Sequence, residues 1–448
     1  MQKIYNILAK CIRQILINFD YTDLQKYNSL SCNARDEYKK EILQAIPGFY
    51  CDNMNKKSLN TFQFKSLANY IEHFMVDCDT KKKYDLMLMT LIEMDSLLEK
   101  ILYNMHNEAF SRKEVKPLNS NYKEVRIKLF PRVNCKWERN SRGKNTHIRI
   151  DNYFKNLLII DYNSVINSYN DKHFFLQNDY EISNKYSFAA VPYCNVWNHE
   201  IEYINEENHN LMHINYIGNK SEDIKFLEGK IEQAMENDII IFPEVHGCCE
   251  IDEEISEFLS EELMYKLPQI TILPSCWENR KNYVSILDAT GEIIFTQRKY
   301  IPYEEEYNGE HYIEDLENYD REVNVIHCDG MGRIAILICR DFLETRYIEE
   351  IVELYKLNMI LVPSFSTGNY DFKENAGICK SLNCSVLWVN SCSAYNDAKK
   401  ENFDIISFLS KAEVKNVING DNEFKHPCEK ILSNCKCDGC MLEYNIEL

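Results

Sequence analysis

From about residue 185 onward, short apolar runs alternate with segments of helical periodicity. The runs include FAAVPYCNVW, LMHINYI, DIIIFPE, QITILPS, RIAILIC, NMILVPS and SVLWVNS. Between them lie the helix-like SEDIKFLEGKIEQAMEN and LETRYIEEIVELYKL. Glu222 and Asp223 follow Ser221, a favourable start for the first of these helices. Strands alternating with helices imply a layered α/β domain, which we set at residues 185–448.

The pattern upstream is different. Up to about residue 110 the chain reads as helical. In KKKYDLMLMTLIEMDSLLEKILYNM the apolar positions Leu86, Met89, Ile92, Leu97, Leu98 and Leu102 suit one face of an amphipathic helix. VRIKLFPRV then alternates apolar and basic residues, as a half-exposed strand does. NSRGKN reads as a turn and THIRI as a second strand. The expectation for residues 1–184 is therefore an α+β region with a β-hairpin at about 112–150.

Charge changes the picture of that hairpin. The chain carries a net charge of −19, yet residues 112–149 hold 12 Lys and Arg against 3 Asp and Glu, a local +9. The overall charge argues against a protein that coats nucleic acid with its whole surface. The basic strand face is either solvated or docked on the acidic remainder, or it binds nucleic acid or phosphate. Trp137 by itself is too little for a base-stacking platform. No apolar run approaches the roughly 18 residues of a membrane span. Lys10 and Arg13 interrupt the apolar N-terminal patch, so no secretory signal is expected and a cytoplasmic protein is.

Three strand ends in the α/β part carry reactive groups. Glu244 closes DIIIFPE, Lys299 closes IIFTQRK, and Cys339 closes GRIAILIC ahead of Arg340 and Asp341. Side chains at the C-terminal ends of strands in α/β sheets converge on sites. Taken singly, each suits a surface acid, a solvated lysine or a packed thiol.

Read together and in order, IIIFPE, TQRKYIP and LICRD resemble the motifs of the nitrilase, or carbon–nitrogen hydrolase, superfamily. The resemblance spans roughly residues 185–448 and is strongest at 235–395. DATGEIIFTQRKY resembles that family's hairpin before the lysine, and SLNCSVLWVNS its later strand ending in Asn. The resemblance implies a four-layer α-β-β-α sandwich and a Glu244–Lys299–Cys339 triad. Cys339 would attack a non-peptide amide, ureido or carbamoyl carbon and form a thioester. Glu244 would move the proton, and Lys299 with the backbone N–H of Arg340 would hold the oxyanion. It also implies a second glutamate after the lysine that orients substrate and water. Glu305 and Glu306 both fit, and Glu306 is preferred because it precedes Tyr307. Ser364 and Ser366, with Thr367, fall where the family's pocket loop lies. Arg340 departs from the family pattern. It either binds a carboxylate or phosphate on the substrate or pairs with a neighbouring acid.

No step of this chemistry needs a metal or cofactor. The eighteen cysteines are expected to be mostly reduced thiols. Cys428, Cys435, Cys437 and Cys440 form a weak zinc-like pattern, which reduced thiols around the final strand explain better. The expected partners are a small-molecule substrate and, as in the family, a second copy of the chain. A second reading is an interaction or regulatory module in a bacterial system, including phage defence. The basic N-terminal segment would then recruit nucleic acid or a protein.

Overall fold

The protein is described from a computed structural model. It covers residues 2–18, 27, 29–44, 66, 69–70, 87–96, 98, 102, 114–137, 150–165, 169–176, 185–193, 198–205, 210–261, 267–395, 403, 405–412, 423–425 and 440–447. The chain divides into two compact units. The first comprises Met1–Val133 and Arg139–Ser168, the second Asn134–Glu138 and Tyr169–Leu448.

In the first unit, helix Gln2–Asn18 turns Ile4, Leu8, Ile12 and Ile15 to one side, a helical repeat that buries all four. They share a core with Leu88, Leu91, Met94, Leu129, Leu157 and Ile159. Of the stripe expected on the next helix, Met89, Leu98 and Leu102 are buried and Ile92 packs against the same core. Leu86 and Leu97 lie outside the described residues.

Strand Ile127–Pro131, expected to open a hairpin with THIRI, pairs antiparallel with Leu157–Asp161. Residues 138–149 lie outside the described residues. The strand is also more buried than its alternation predicted, because Leu129, Phe130 and Pro131 are all covered. Its basic side chains have local partners. Arg126 donates to the Tyr162 carbonyl at 2.8 Å, and Arg132 to the Phe154 carbonyl at 2.9 Å. The Lys128 ammonium lies 5.1 Å from the Tyr162 ring centre.

The second unit is an α-β-β-α sandwich. One sheet runs Ile293–Arg298, Lys281–Asp288, Ile270–Ile272, Ile239–Ile241, Lys185–Ala190, Leu442–Glu447, with Cys276–Glu278 paired to Lys281–Asp288. The other runs Glu423–Lys425, Ser407–Ser410, Ser385–Asn390, Met359–Ser364, Gly332–Ile336, Glu322–Cys328, Asn170–Leu176. Asn170–Leu176 pairs in parallel with Glu322–Cys328, so this unit begins ahead of the expected boundary at 185.

The sheets meet face to face. Phe174 stacks on Phe295 with ring centres 4.5 Å apart, and Asn324 donates to Gln297 Oε1 at 3.0 Å. Helices Lys220–Gln233 and Cys249–Glu261 cover the first sheet, placing Leu227, Ile231, Ile251, Ile255 and Leu259 on Ile240, Phe242 and Leu287. On the second sheet, Phe372 of helix Tyr370–Ser381 meets Trp388 at 5.2 Å, and Tyr355 of helix Thr345–Tyr355 meets His173 at 5.9 Å. A smaller four-stranded sheet runs Glu304–Tyr307, Glu310–Glu314, Asn210–Tyr216, His199–Asn205. Among the described residues no helix is long and apolar enough to cross a membrane.

Candidate active site

Glu244, Lys299 and Cys339 are brought together by the ends of three strands. Glu244 follows the parallel strand Ile239–Ile241, with Phe242 and Pro243 between. Lys299 follows Ile293–Arg298, and its N–H is anchored on the Asn282 carbonyl at 2.8 Å. Cys339 opens the 3-10 turn Cys339–Leu343 just beyond Gly332–Ile336. Its φ of +45° is unusual for a residue with a Cβ, and Val245, beside the glutamate, has φ +69°. Held backbone strain of this kind clusters at reacting positions.

The triad is out of contact with bulk water, since Glu244 is 2% exposed, Cys339 4% and Lys299 5%. Lys299 Nζ lies 2.8 Å from Glu244 Oε1 and 2.7 Å from Glu314 Oε2. Asn282 Nδ2 bridges the same two carboxylates, donating to Glu244 Oε1 at 2.8 Å and Glu314 Oε1 at 3.0 Å. The remaining Glu244 oxygen takes the Phe365 N–H at 3.0 Å. The Cys339 thiol points toward the Phe365 carbonyl, 3.9 Å away.

The electrostatics follow from burial and neighbours. Burial alone would drive Lys299 toward its neutral form, but Glu244 and Glu314 outweigh it and hold the ammonium charged. Burial pushes the Cys339 pKa up, Glu244 adds to this, and Lys299 opposes it. Cys339 is thus a neutral thiol with the hydrogen-bonding Glu244 carboxylate beside it. Asp341, pushed up to about 7 by burial, accepts from Tyr300 N–H at 3.1 Å and Ile301 N–H at 2.8 Å. It ties the turn after Cys339 to the segment after Lys299.

Two adjoining cavities open on the triad, sharing Tyr303, Glu305 and Phe365 as walls. The larger, about 460 Å³, is lined by Glu244, Lys299, His199, Thr367 and Ser393 among others. The second, about 360 Å³, is lined by Cys339, Arg340, Ser366 and Glu306 among others. Burial lowers His199 to about 4, so this wall is neutral at ordinary pH.

The remaining expected site residues separate. Glu305 is half-buried and lines both cavities, whereas Glu306 is exposed at the rim of the outer one. The glutamate against Lys299 is instead Glu314, which the sequence reading missed. A signal for it existed: Asn308-Gly309, with φ +53° and +80°, is a two-residue hairpin turn. It folds Glu310–Glu314 back on Glu304–Tyr307 and returns Glu314 beside Tyr303. Ser364 lies behind the wall, where its hydroxyl takes Trp388 Nε1–H at 3.0 Å. Ser366 is held by Asn390, which accepts its N–H at 2.8 Å and donates to its carbonyl at 2.7 Å.

The Arg340 guanidinium donates to the Pro302 carbonyl at 2.9 Å and pairs with Glu304 at 3.3 Å. Of the two readings of Arg340, the structure has the ion pair with a neighbouring acid. Cys428, Cys435 and Cys437 lie outside the described residues. Among the described residues, Cys440 included, no group of three or more His, Cys, Asp and Glu could hold a metal ion.

No protein-family model matches the chain, nor does any curated protein. Several solved structures are similar to it. An amidase from Nesterenkonia sp. is 11% identical with a TM-score of 0.41, covering 59% of this chain and 92% of that one. The C. elegans NitFhit protein is 13% identical at 0.41, covering 59% of this chain and 61% of its own. A cysteine-to-alanine mutant of the Nesterenkonia AN1 amidase, from the nitrilase superfamily, is 10% identical at 0.41, covering 58% of this chain and 90% of that one. These similar structures are nitrilase-superfamily amidases and NitFhit, alike over about 59% of this chain.

Proposed function

We propose that the second unit is a thiol-dependent hydrolase of a non-peptide carbon–nitrogen bond of amide, ureido or carbamoyl type. The observation that carries this reading is the meeting of Glu244, Lys299 and a buried Cys339 beside two adjoining cavities. A neutral thiol is a weak attacker, so its proton must leave as the S–C bond forms. Glu244 would accept it. The carbonyl oxygen then gains charge, which the Lys299 ammonium and the Arg340 N–H would stabilise. Glu244 passes the proton to the departing nitrogen, the C–N bond breaks, and a thioester on Cys339 remains. A water deprotonated by Glu244 attacks that thioester, releasing the acid and restoring the thiol.

Glu314 supports the step in a different way. With Glu244 it keeps Lys299 charged in a buried place, and it shares Asn282 with the base. The geometry thereby holds the base and the cation still while the substrate changes charge. The test is a panel of amides, ureas, carbamoyl compounds and nitriles against the unmodified protein and Cys339→Ala. Expected are turnover by the former, none by the latter, and a thioester on Cys339 trapped at acid quench. No turnover of any panel member, with no selective alkylation of Cys339, would refute the reading.

A further inference from the structure

A run of buried hydrogen bonds behind the larger cavity sets the polarity of one wall atom. Asn198 Nδ2 donates to Asp223 Oδ2 at 3.0 Å and to the His246 carbonyl at 3.3 Å. With the amide so oriented, Asn198 Oδ1 can only accept. His246 Nδ1, 2.6 Å from it, therefore carries the ring proton. Burial, then the neighbouring His199, holds the His246 pKa well below its ordinary value, so the ring is neutral and Nε2 is an acceptor.

Nε2 has two hydroxyl oxygens in reach, Ser391 Oγ at 2.6 Å and Ser393 Oγ at 3.2 Å, and the closer one donates to it. Ser393 Oγ sits 2.7 Å from Ser391 Oγ. Two hydroxyl oxygens at that distance need a proton between them, and the Ser391 proton is already on the ring nitrogen. The proton between them is therefore that of Ser393. Ser393 lines the cavity with its donor turned inward and only lone pairs facing the space.

The charge of the same cavity points the same way. Among the described residues, Glu244 and Glu305 line it with Lys299, and Glu314 stands behind, giving three carboxylates against one ammonium. Glu305 takes a hydrogen bond from Tyr203, and Arg340 is held by Glu304 and Pro302. Tyr303, Thr367, Tyr395 and neutral His199 can donate as well as accept, so it is the surplus of carboxylates that sets the walls against a negatively charged ligand. One that brings hydrogen-bond donors and positive charge finds its complement there.

We propose, resting on the hydrolase reading above, that the substrate is an amide whose remaining part carries a protonated amine. Glu305 supplies its counter-charge and Ser393 Oγ accepts one of its N–H groups.

The test uses the full chain and four chloroacetamide probes of matched length. Their tails end in a primary ammonium, a trimethylammonium, a hydroxyl or a carboxylate. Each labels Cys339 by one balanced step: the S–C bond forms, the C–Cl bond breaks, chloride leaves and the thiol proton passes to Glu244. Rates are read by peptide mass spectrometry and divided by those of the same probes with glutathione. The ammonium probe should exceed the hydroxyl probe by about tenfold, the effect of one charge-assisted hydrogen bond, and the carboxylate probe should be slowest. Glu305→Gln should bring the ammonium-to-hydroxyl ratio close to one. Ser393→Ala should narrow the ratio of ammonium to trimethylammonium, which has charge but no N–H. Equal rates for all tails, a fastest carboxylate, or an ammonium preference that survives Glu305→Gln would overturn the inference while leaving the hydrolase reading intact. Cys339 silent to every probe while other thiols react would overturn both.

Discussion

Each of the two units buries a carboxylate among hydrogen-bond donors, and the two sites differ in what surrounds them. In the first unit Asp95 is 2% exposed and accepts the N–H groups of Lys155 at 2.7 Å, Asn156 at 3.1 Å and Leu157 at 2.8 Å. In the second, Glu244 is also 2% exposed and accepts from Phe365, Asn282 and Lys299. Asp95 holds a turn to the strand that follows it. Glu244 has the Cys339 thiol and an open cavity beside it. Burial of an acid is thus common to structure and chemistry. A transferable proton and room for a substrate mark the second.

The sharpest break between the two sites is expected on turnover. Cys339→Ala should lower kcat/KM by about 10⁴-fold or more, as loss of a covalent nucleophile does. Asp95→Asn should leave turnover per folded molecule as it was. Equal losses from the two changes, measured at matched folded fraction, would erase the distinction. Next in size is the cation. Lys299→Met leaves Glu244 and Glu314 buried without their shared counter-ion and should cost about 3–5 kcal/mol of stability in denaturant titration. Glu314→Gln keeps the shape and one acceptor. It should lower kcat by about 10²-fold, on the scale of one lost electrostatic contact at a reacting centre. An unchanged kcat would make Glu314 merely structural.

Stability against pH separates the sites again. Burial raises Asp95 from 3.8 to about 6. Between those values the folded chain binds more protons than the unfolded one, so stability falls as pH rises through this window and levels off above it. The swing is up to about 3 kcal/mol from this residue, opposite in sign to that of an ion-paired carboxylate. Asp95→Asn should flatten this component of the unfolding midpoint between pH 4 and 6. An unaltered slope would assign it to other groups.

The legible part of the molecule was the part written locally. Glu244, Lys299 and Cys339 each end an apolar run, and a strand end delivers its side chain to the sheet's edge wherever the neighbours fall. The strand at Ile127–Pro131 was legible as a strand, but its partner Leu157–Asp161 was not, because it lies far along the chain with no turn signal joining the two. The Asn198–His246–Ser391–Ser393 chain had no local signal. Its members come from separate segments that only tertiary packing unites.

The second glutamate shows the limit most clearly and supplies the smallest expected effect. Counting along the acidic run after Pro302 favoured Glu306, as though the chain ran straight past Lys299. The chain instead turns at Asn308-Gly309, pairing Glu306 with His311 and carrying Glu314 back to Lys299. Alternation along the strand then leaves Glu306 exposed and Glu305 half-buried toward the cavities. Glu306→Gln should therefore change kcat/KM by no more than about twofold, the usual scale of a surface substitution. Glu305→Gln, one position away on the opposite face of the strand, should weaken substrate capture mainly through KM. A loss at Glu306 rivalling that at Glu314 would mean that the working site closes further than this hairpin allows, drawing the exposed strand face inward when substrate binds.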